Sequence, residues 1–159
     1  MAFRLSSNDF SEGVTLPMKQ VSNVFGHHGE NKSPHLAWDG VPEGTKSFVV
    51  TMYDPDAPTG SGWWHWTVVD IPANVFDLAA DAASGYLPVG SRHTRNDLGI
   101  RGYVGAAPPP GMTHRYIYTV HALSVDQLSV PDDASGALVG FNAGMHRLGK
   151  AALTVTFGV

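Results

Sequence analysis

Two carboxylates and an imidazole stand close together in Asp54-Pro55-Asp56-Ala57-Pro58 and the following Trp63-Trp64-His65-Trp66. A second imidazole and a phenol follow in His114-Arg115-Tyr116, behind the stiff segment Gly102-Tyr103-Val104-Gly105-Ala106-Ala107-Pro108-Pro109-Pro110-Gly111. These groups suit the recognition of a small anion. Imidazoles partly protonated near neutral pH, a phenol and loop N–H groups all donate hydrogen bonds. A carboxylate such as Asp54 holds an imidazole in one tautomer and raises its pKa. Asp54 or Asp56 can instead meet an ammonium group, with Trp63, Trp64 or Trp66 as a cation–π wall. The same set permits a different chemistry, in which a His–Asp pair acts as general base in a hydrolase or lyase on a phosphorylated substrate. That chemistry needs a nucleophile or an activated water. No Gly-x-Ser-x-Gly elbow is present, and Ser61 near His65 is a weak candidate. Two histidines and an aspartate can also hold zinc, but this spacing is not specific to a metal, and neither metal nor cofactor is expected. Each motif has a plainer reading: Asp-Pro-Asp-Ala-Pro as a turn, His65 as a core histidine, His114 and Tyr116 as packing residues with polar tips.

The elements that must position these groups are strands. Residues 47–53 and 63–70 are rich in β-branched and aromatic residues and flank a turn-rich connection. Residues 47–53 are apolar on both faces, which predicts a central strand covered on both sides. Along residues 114–123, period-two alternation sets His114 and Tyr116 on one face and Arg115 and Ile117 on the other. Three consecutive prolines before this strand fix the loop, and Gly105 permits close approach of a ligand to the backbone. Elsewhere short edge strands are expected near residues 3–5, 13–16 and 20–25. A short strand and tight turn are expected in residues 33–45, and a helical turn or loop in residues 74–85. Residues 86–101 read as an irregular connection, of which Ser91 to Asn96 either borders the pocket or is solvated loop. His27-His28 reads as part of a polar loop rather than a metal site. Leu138, Phe141, Met145, Leu148 and Ala152 recur at helical spacing and predict a core-facing helix, followed by a closing strand at residues 154–157.

The 159 residues share one composition, consistent with a single domain over 1–159, and 43% hydrophobic residues are enough for a core. Eighteen glycines and eleven prolines fit many turns between short strands. A net charge of −4 without a basic cluster argues against nucleic acid and anionic membrane surfaces as partners. The absence of cysteine excludes thiol chemistry and disulfides. The N-terminus lacks the apolar core of a signal peptide, and no apolar run approaches the roughly 20 residues that span a bilayer. A soluble, cytoplasmic protein without integral membrane association is expected.

Taken together, the two stretches resemble the two signatures of the phosphatidylethanolamine-binding protein family, which includes the Raf kinase inhibitor protein. The first is Asp54-Pro55-Asp56-Ala57-Pro58 with Trp63-Trp64-His65; the second runs from Gly102-Tyr103-Val104-Gly105 through Pro108-Pro109-Pro110-Gly111 to His114-Arg115-Tyr116. Ser33-Pro34-His35-Leu36-Ala37-Trp38 and Gly44-Thr45-Lys46-Ser47-Phe48 also fit, so the likeness covers essentially the whole chain. Its compact length is similar to that of the bacterial, YbhB/YbcL-type branch. The resemblance implies a mainly β, sandwich-like fold with a large antiparallel sheet, a smaller second sheet and a few short helices. It implies an anion pocket for a phosphorylated or carboxylated ligand, such as phosphate, acetate or a phosphoethanolamine headgroup. Carried over residue by residue, that pocket contains Asp54, Pro58, Trp63, His65, Gly105, Pro109, His114 and Tyr116. Ala106-Ala107 departs from the family pattern, and the Ala107 methyl narrows the pocket floor. The resemblance favours a binding module over an enzyme. Its expected partners are the small ligand and a protein, either a kinase or a serine protease. A homodimer through an exposed sheet or loop is a further expectation.

Overall fold

The computed structural model describes residues 1–159. Its strands are β1 (Arg4–Ser6), β2 (Leu36–Asp39), β3 (Ser47–Asp54), β4 (Trp63–Pro72), β5 (Asp77–Leu78), β6 (Arg92–His93), β7 (Thr113–Leu123) and β8 (Arg147–Gly158), with helix α1 (Gly136–His146) before the last. They form two antiparallel sheets: a five-stranded sheet in the order β6-β4-β3-β7-β8 and a three-stranded sheet in the order β1-β2-β5. The chain is therefore mainly β, as its composition and turn content imply.

β3 lies at the centre of the large sheet, and its sequence explains why. Phe48, Val50 and Met52 enter the main core together with Trp38, Leu78 and Tyr118. The alternate residue Val49 enters a second, smaller core with Val69, Leu123, Val139 and Ala143. A strand covered on both faces is apolar at successive positions. β7 instead alternates: His114, Tyr116, Tyr118 and Val120 are buried, whereas the residues between them are exposed or half-buried.

β4 changes face part-way along. Trp66 and Val68 enter the main core and Val69 the second one, yet Ile71 returns to the main core. The register slips between Phe48 opposite Ile71 and Val50 opposite Val68, and Asp70 sits there with φ 60°. A bulge with one left-handed residue inverts the alternation, and aspartate tolerates that conformation better than most residues. The buried Asp70 carboxylate accepts from the Leu128 N–H and from Arg92 Nε, each at 2.9 Å. Arg92 also donates to Asp132 and to the carbonyls of Leu128 and Val130, which ties residues 128–132 over the second core.

The C-terminal helix differs from the sequence expectation. Its buried residues are Gly136, Val139 and Ala143. Phe141 is 69% exposed and Met145 59%, and Leu138 also faces solvent. Leu148 and Ala152 belong to β8, which starts at Arg147 directly after the helix. Close packing decides this face: a Cβ at Gly136 would collide with the Trp64 ring, so the helix meets the sheet through Gly136, Val139 and Ala143. Ser135 caps the helix by accepting from the Leu138 N–H. Among the other expected elements, residues 13–16 and 20–25 form no strands but make single parallel bridges, Thr15 to Thr156 and Val21 to Ala106. Residues 86–101 contain β6, and residues 74–85 contain β5 and a 3₁₀ turn at Ala82–Ser84.

Three histidines packed into this framework are held neutral. His65 on β4, His93 on β6 and His121 on β7 each have a pKa pushed down to about 4, and burial is the largest cause for all three. The Arg101 charge adds to the effect at His93, and Arg147 and Lys150 add to it at His121. Unfolding returns each ring to an ordinary value near 6.5, so between pH 6.5 and 4 the unfolded chain binds more protons. The stability these groups contribute is complete above pH 6.5 and lost as pH falls through that window. Urea midpoints measured at pH 7, 5.5 and 4.5 are expected to fall monotonically.

Candidate functional site

The signature residues meet at one end of the β3, β4 and β7 ladder. Asp54 closes β3 opposite Trp63, and β7 runs on the other side of β3, with Tyr53 opposite Ile117. The loop 55–62 and the segment 104–109 complete a cavity of about 220 Å³. Asp54, Pro58, Trp63, His65, Gly105, Pro109 and His114 line it. Tyr116 lies one layer deeper: it is fully buried, with its ring 5.4 Å from that of His65.

A second bulge aims His65. Met52 stands opposite Trp66 and Tyr53 opposite Trp64, so His65 is the extra residue of β4 between them. A bulge re-aims a side chain that strict alternation would send to the other face. His65 is then fixed from its backbone and its ring: the Val104 N–H donates to the His65 carbonyl at 3.1 Å, and His65 Nδ1 donates to the Val104 carbonyl at 2.8 Å. A carbonyl only accepts, so the proton of neutral His65 is on Nδ1 and Nε2 offers a lone pair. Burial outweighs the Val104 carbonyl and the Asp54 charge, both of which raise its pKa, and the ring stays neutral near pH 7. The expectation of two partly protonated imidazoles is corrected here for His65.

His114 is held by a carboxylate. Its Nδ1 donates to Asp54 Oδ2 at 2.7 Å, and both side chains are almost fully buried. Asp54 Oδ1 accepts from the Asp56 N–H at 2.7 Å. Asp56 in turn faces outward and takes Arg115 on both oxygens, at 3.0 Å from Nε and 2.8 Å from Nη2. Those bonds hold the Asp56 pKa down at about 2. His114 Nε2 and the Tyr116 hydroxyl are buried with no hydrogen-bond partner in the protein. Burial, then the Asp54 charge, pushes the Tyr116 phenol well above its ordinary range, so it remains a donor.

Gly105 has a different role from the one read in the sequence. A Cβ there would lie 2.2 Å from the Gln20 carbonyl oxygen, so the glycine admits the backbone of residues 20–22 rather than a ligand. Its N–H donates to Asn31 Oδ1 at 2.8 Å. Asn31, in left-handed conformation at φ 54°, also donates to the Tyr103 carbonyl and so anchors the cavity wall from a distant loop. Of the three tryptophans, only Trp63 lines the cavity. Trp64 packs against Tyr53 with centroids 4.4 Å apart and the rings tilted by 40°, and Trp66 is fully buried with Nε1 donating to His93 Nε2.

Other residues at the cavity were not singled out by the sequence. Phe25, Ala57, Thr59 and Val104 all line it. Ala57 and Thr59 fall inside the first motif and Val104 inside the second, but Phe25 arrives from a loop with no signal of its own. Ala107 lines the cavity as its methyl implied. The stretch from Ser91 to Asn96 stays outside. Asn96 is buried and accepts from the Leu98 and Ile100 N–H groups, so it shapes its own loop. His27 donates from Nε2 to the Pro108 carbonyl. No group of three or more His, Asp or Glu side chains is gathered for a metal ion, and no helix is long and apolar enough to cross a membrane.

Known proteins share this fold. The family model described as phosphatidylethanolamine-binding protein matches residues 6–158. The UPF0098 protein YbhB of Escherichia coli is 56% identical over 97% of this chain and 99% of its own. The UPF0098 protein YbcL of the same organism is 48% identical over 99% of this chain and 88% of its own. The crystal structure of YbcL, described as a new member of the mammalian PEBP family, superposes with a TM-score of 0.97 at 47% identity, covering 100% of this chain and 99% of that one. A homologue from Chlamydia trachomatis superposes with a TM-score of 0.83 at 28% identity, over 99% of this chain and 98% of that one. With matches that span nearly every residue, the chain belongs to the phosphatidylethanolamine-binding protein family.

Proposed function

We propose that this protein is a binding module for the phosphoryl or carboxylate end of a small ligand, held by His114 and His65 with Tyr116 behind them. The observation that carries the reading is the unpartnered His114 Nε2 beside a phenol that also lacks a partner, on a ring whose other nitrogen is fixed by Asp54. Buried polar atoms without partners are uncommon and call for a ligand or water to satisfy them. A cavity of about 220 Å³ is below the ~300–1,000 Å³ of drug-sized sites, so it suits a headgroup rather than a whole lipid. The hydrolase or lyase alternative is less well supported. The hydroxyl side chain on the cavity wall, Thr59, already donates to the Gly62 carbonyl and accepts from the Ser61 N–H. No nucleophile is thereby left facing the two imidazoles.

Asp54→Asn keeps the shape of the pair but removes the carboxylate charge that His114 Nδ1 donates to. The charge-assisted bond is worth about 1.5–3 kcal/mol, so inorganic phosphate should bind ten- to a hundredfold more weakly by calorimetry. Unchanged affinity would refute the reading.

Proton uptake should accompany binding. With Nδ1–H committed to Val104, His65 faces an anion with a lone pair unless it gains a proton or the ligand brings one. Affinity therefore rises as pH falls. For one linked proton the Kd of inorganic phosphate should increase up to about tenfold per unit between pH 6 and 8. A pH-independent Kd would show that His65 does not face the anion.

A further inference from the structure

We infer that Asp56 and Arg115 are positioning residues of the anion site: they clamp the loop 55–62 to the start of β7 and so hold Asp54 against His114. The inference rests on the reading of the cavity as a phosphoryl or carboxylate site, and it adds two residues that do not line it. The backbone register between β3 and β7 ends at Tyr53 opposite Ile117, whereas β7 begins at Thr113. His114 and Tyr116 therefore lie beyond the last residue of β7 paired with β3. Their strand neighbour there is β8, with His114 opposite Phe157 and Tyr116 opposite Val155. Side chains take over where the β3–β7 ladder stops. Asp54 Oδ2 accepts from His114 Nδ1, and Asp56 accepts three bonds from the next residue of β7. The Arg115 N–H and Nε donate to Asp56 Oδ2 at 2.8 and 3.0 Å, and Nη2 donates to Oδ1 at 2.8 Å.

Asp56 is also tied to Asp54, since its N–H donates to Asp54 Oδ1 at 2.7 Å. It thus grips Asp54 through its backbone and the neighbour of His114 through its side chain. Alternation along β7 sends Arg115 to the face opposite His114, so the clamp acts from the far side of the strand and leaves the cavity open. The Arg115 side chain is 57% exposed, and an ion pair that open to water contributes little to stability. What the bidentate fork supplies is direction, which a single charge on a flexible stem does not.

Asp56→Ala separates charge from position, because the two predict opposite signs. Removing a negative charge near a bound anion tightens binding by Coulomb's law alone, whereas loss of the clamp weakens it. Calorimetry with inorganic phosphate at pH 7 reads the affinity. Proton NMR of the His114 Nδ1–H in the ligand-free protein reads how firmly Asp54 holds the ring, through the rate of its exchange with water. The expected result is a roughly tenfold higher Kd of inorganic phosphate, as for residues that orient a ligand-binding histidine through another group, together with faster Nδ1–H exchange. Arg115→Gln removes two of the three bonds and should shift both readouts in the same direction. Arg115→Lys keeps the charge but not the fork and should fall between Arg115→Gln and the wild type. Phosphate binding in Asp56→Ala as tight as in the wild type, or tighter, would overturn the inference. An unchanged Nδ1–H exchange rate would overturn it too, whatever the affinity. If the wild type binds no phosphate at millimolar concentration, the anion reading fails on its own, and the exchange rate still decides whether the clamp orients His114.

Discussion

The buried pair of Asp54 and His114 is the contact on which the rest of the site depends. It joins the end of β3 to the start of β7 at 2.7 Å, in a region where both side chains have lost their water. A buried carboxylate–imidazole pair in such a place is not retained for stability alone, since an apolar pair of similar volume is often as stable. What it supplies is orientation. With Nδ1 committed to the carboxylate, the other imidazole nitrogen is left without a protein partner. Arg115 holds Asp56, and the Asp56 N–H holds the second oxygen of Asp54, so the orientation is transmitted from the surface inward.

The framework around this pair is built from strands whose faces are set by bulges. Two irregularities in β4 do separate jobs. The one at Asp70 returns Ile71 to the main core and recruits Arg92 to pin the loop above the second core. The one at His65 brings an imidazole to the cavity side. In both cases the bulge leaves one buried polar group whose partner lies on another segment. Those partners, Val104 for His65 and Arg92 for Asp70, couple the loops to the sheet.

Much of this was legible in the sequence. The β-branched and aromatic runs gave β3, β4 and β7, and alternation in β7 put His114 and Tyr116 on one face, where they are found. Seven of the eight residues taken from the two motifs line one cavity, and Tyr116 lies just behind it. The failures share a physical origin in close approach and backbone irregularity, neither of which has a periodic signature. Helical spacing of Leu138, Phe141 and Met145 predicted their burial, but Gly136 lets the helix close on Trp64, so the face of Gly136, Val139 and Ala143 is buried. Gly105 was read as open to a ligand, whereas it makes room for the backbone of residues 20–22. Phe25 lines the cavity and Asn31 anchors its wall, each as a left-handed residue that no local pattern announces.

The central claim is that Asp54 aims the free nitrogen of His114 at a bound anion. Nitrogen-detected NMR of the imidazole rings during a titration with inorganic phosphate tests it most directly. The account predicts that His114 Nε2 moves saturably to the protonated, hydrogen-bonded position while Nδ1 keeps its bond to Asp54. A His114 Nε2 signal that stays constant through millimolar phosphate would contradict it.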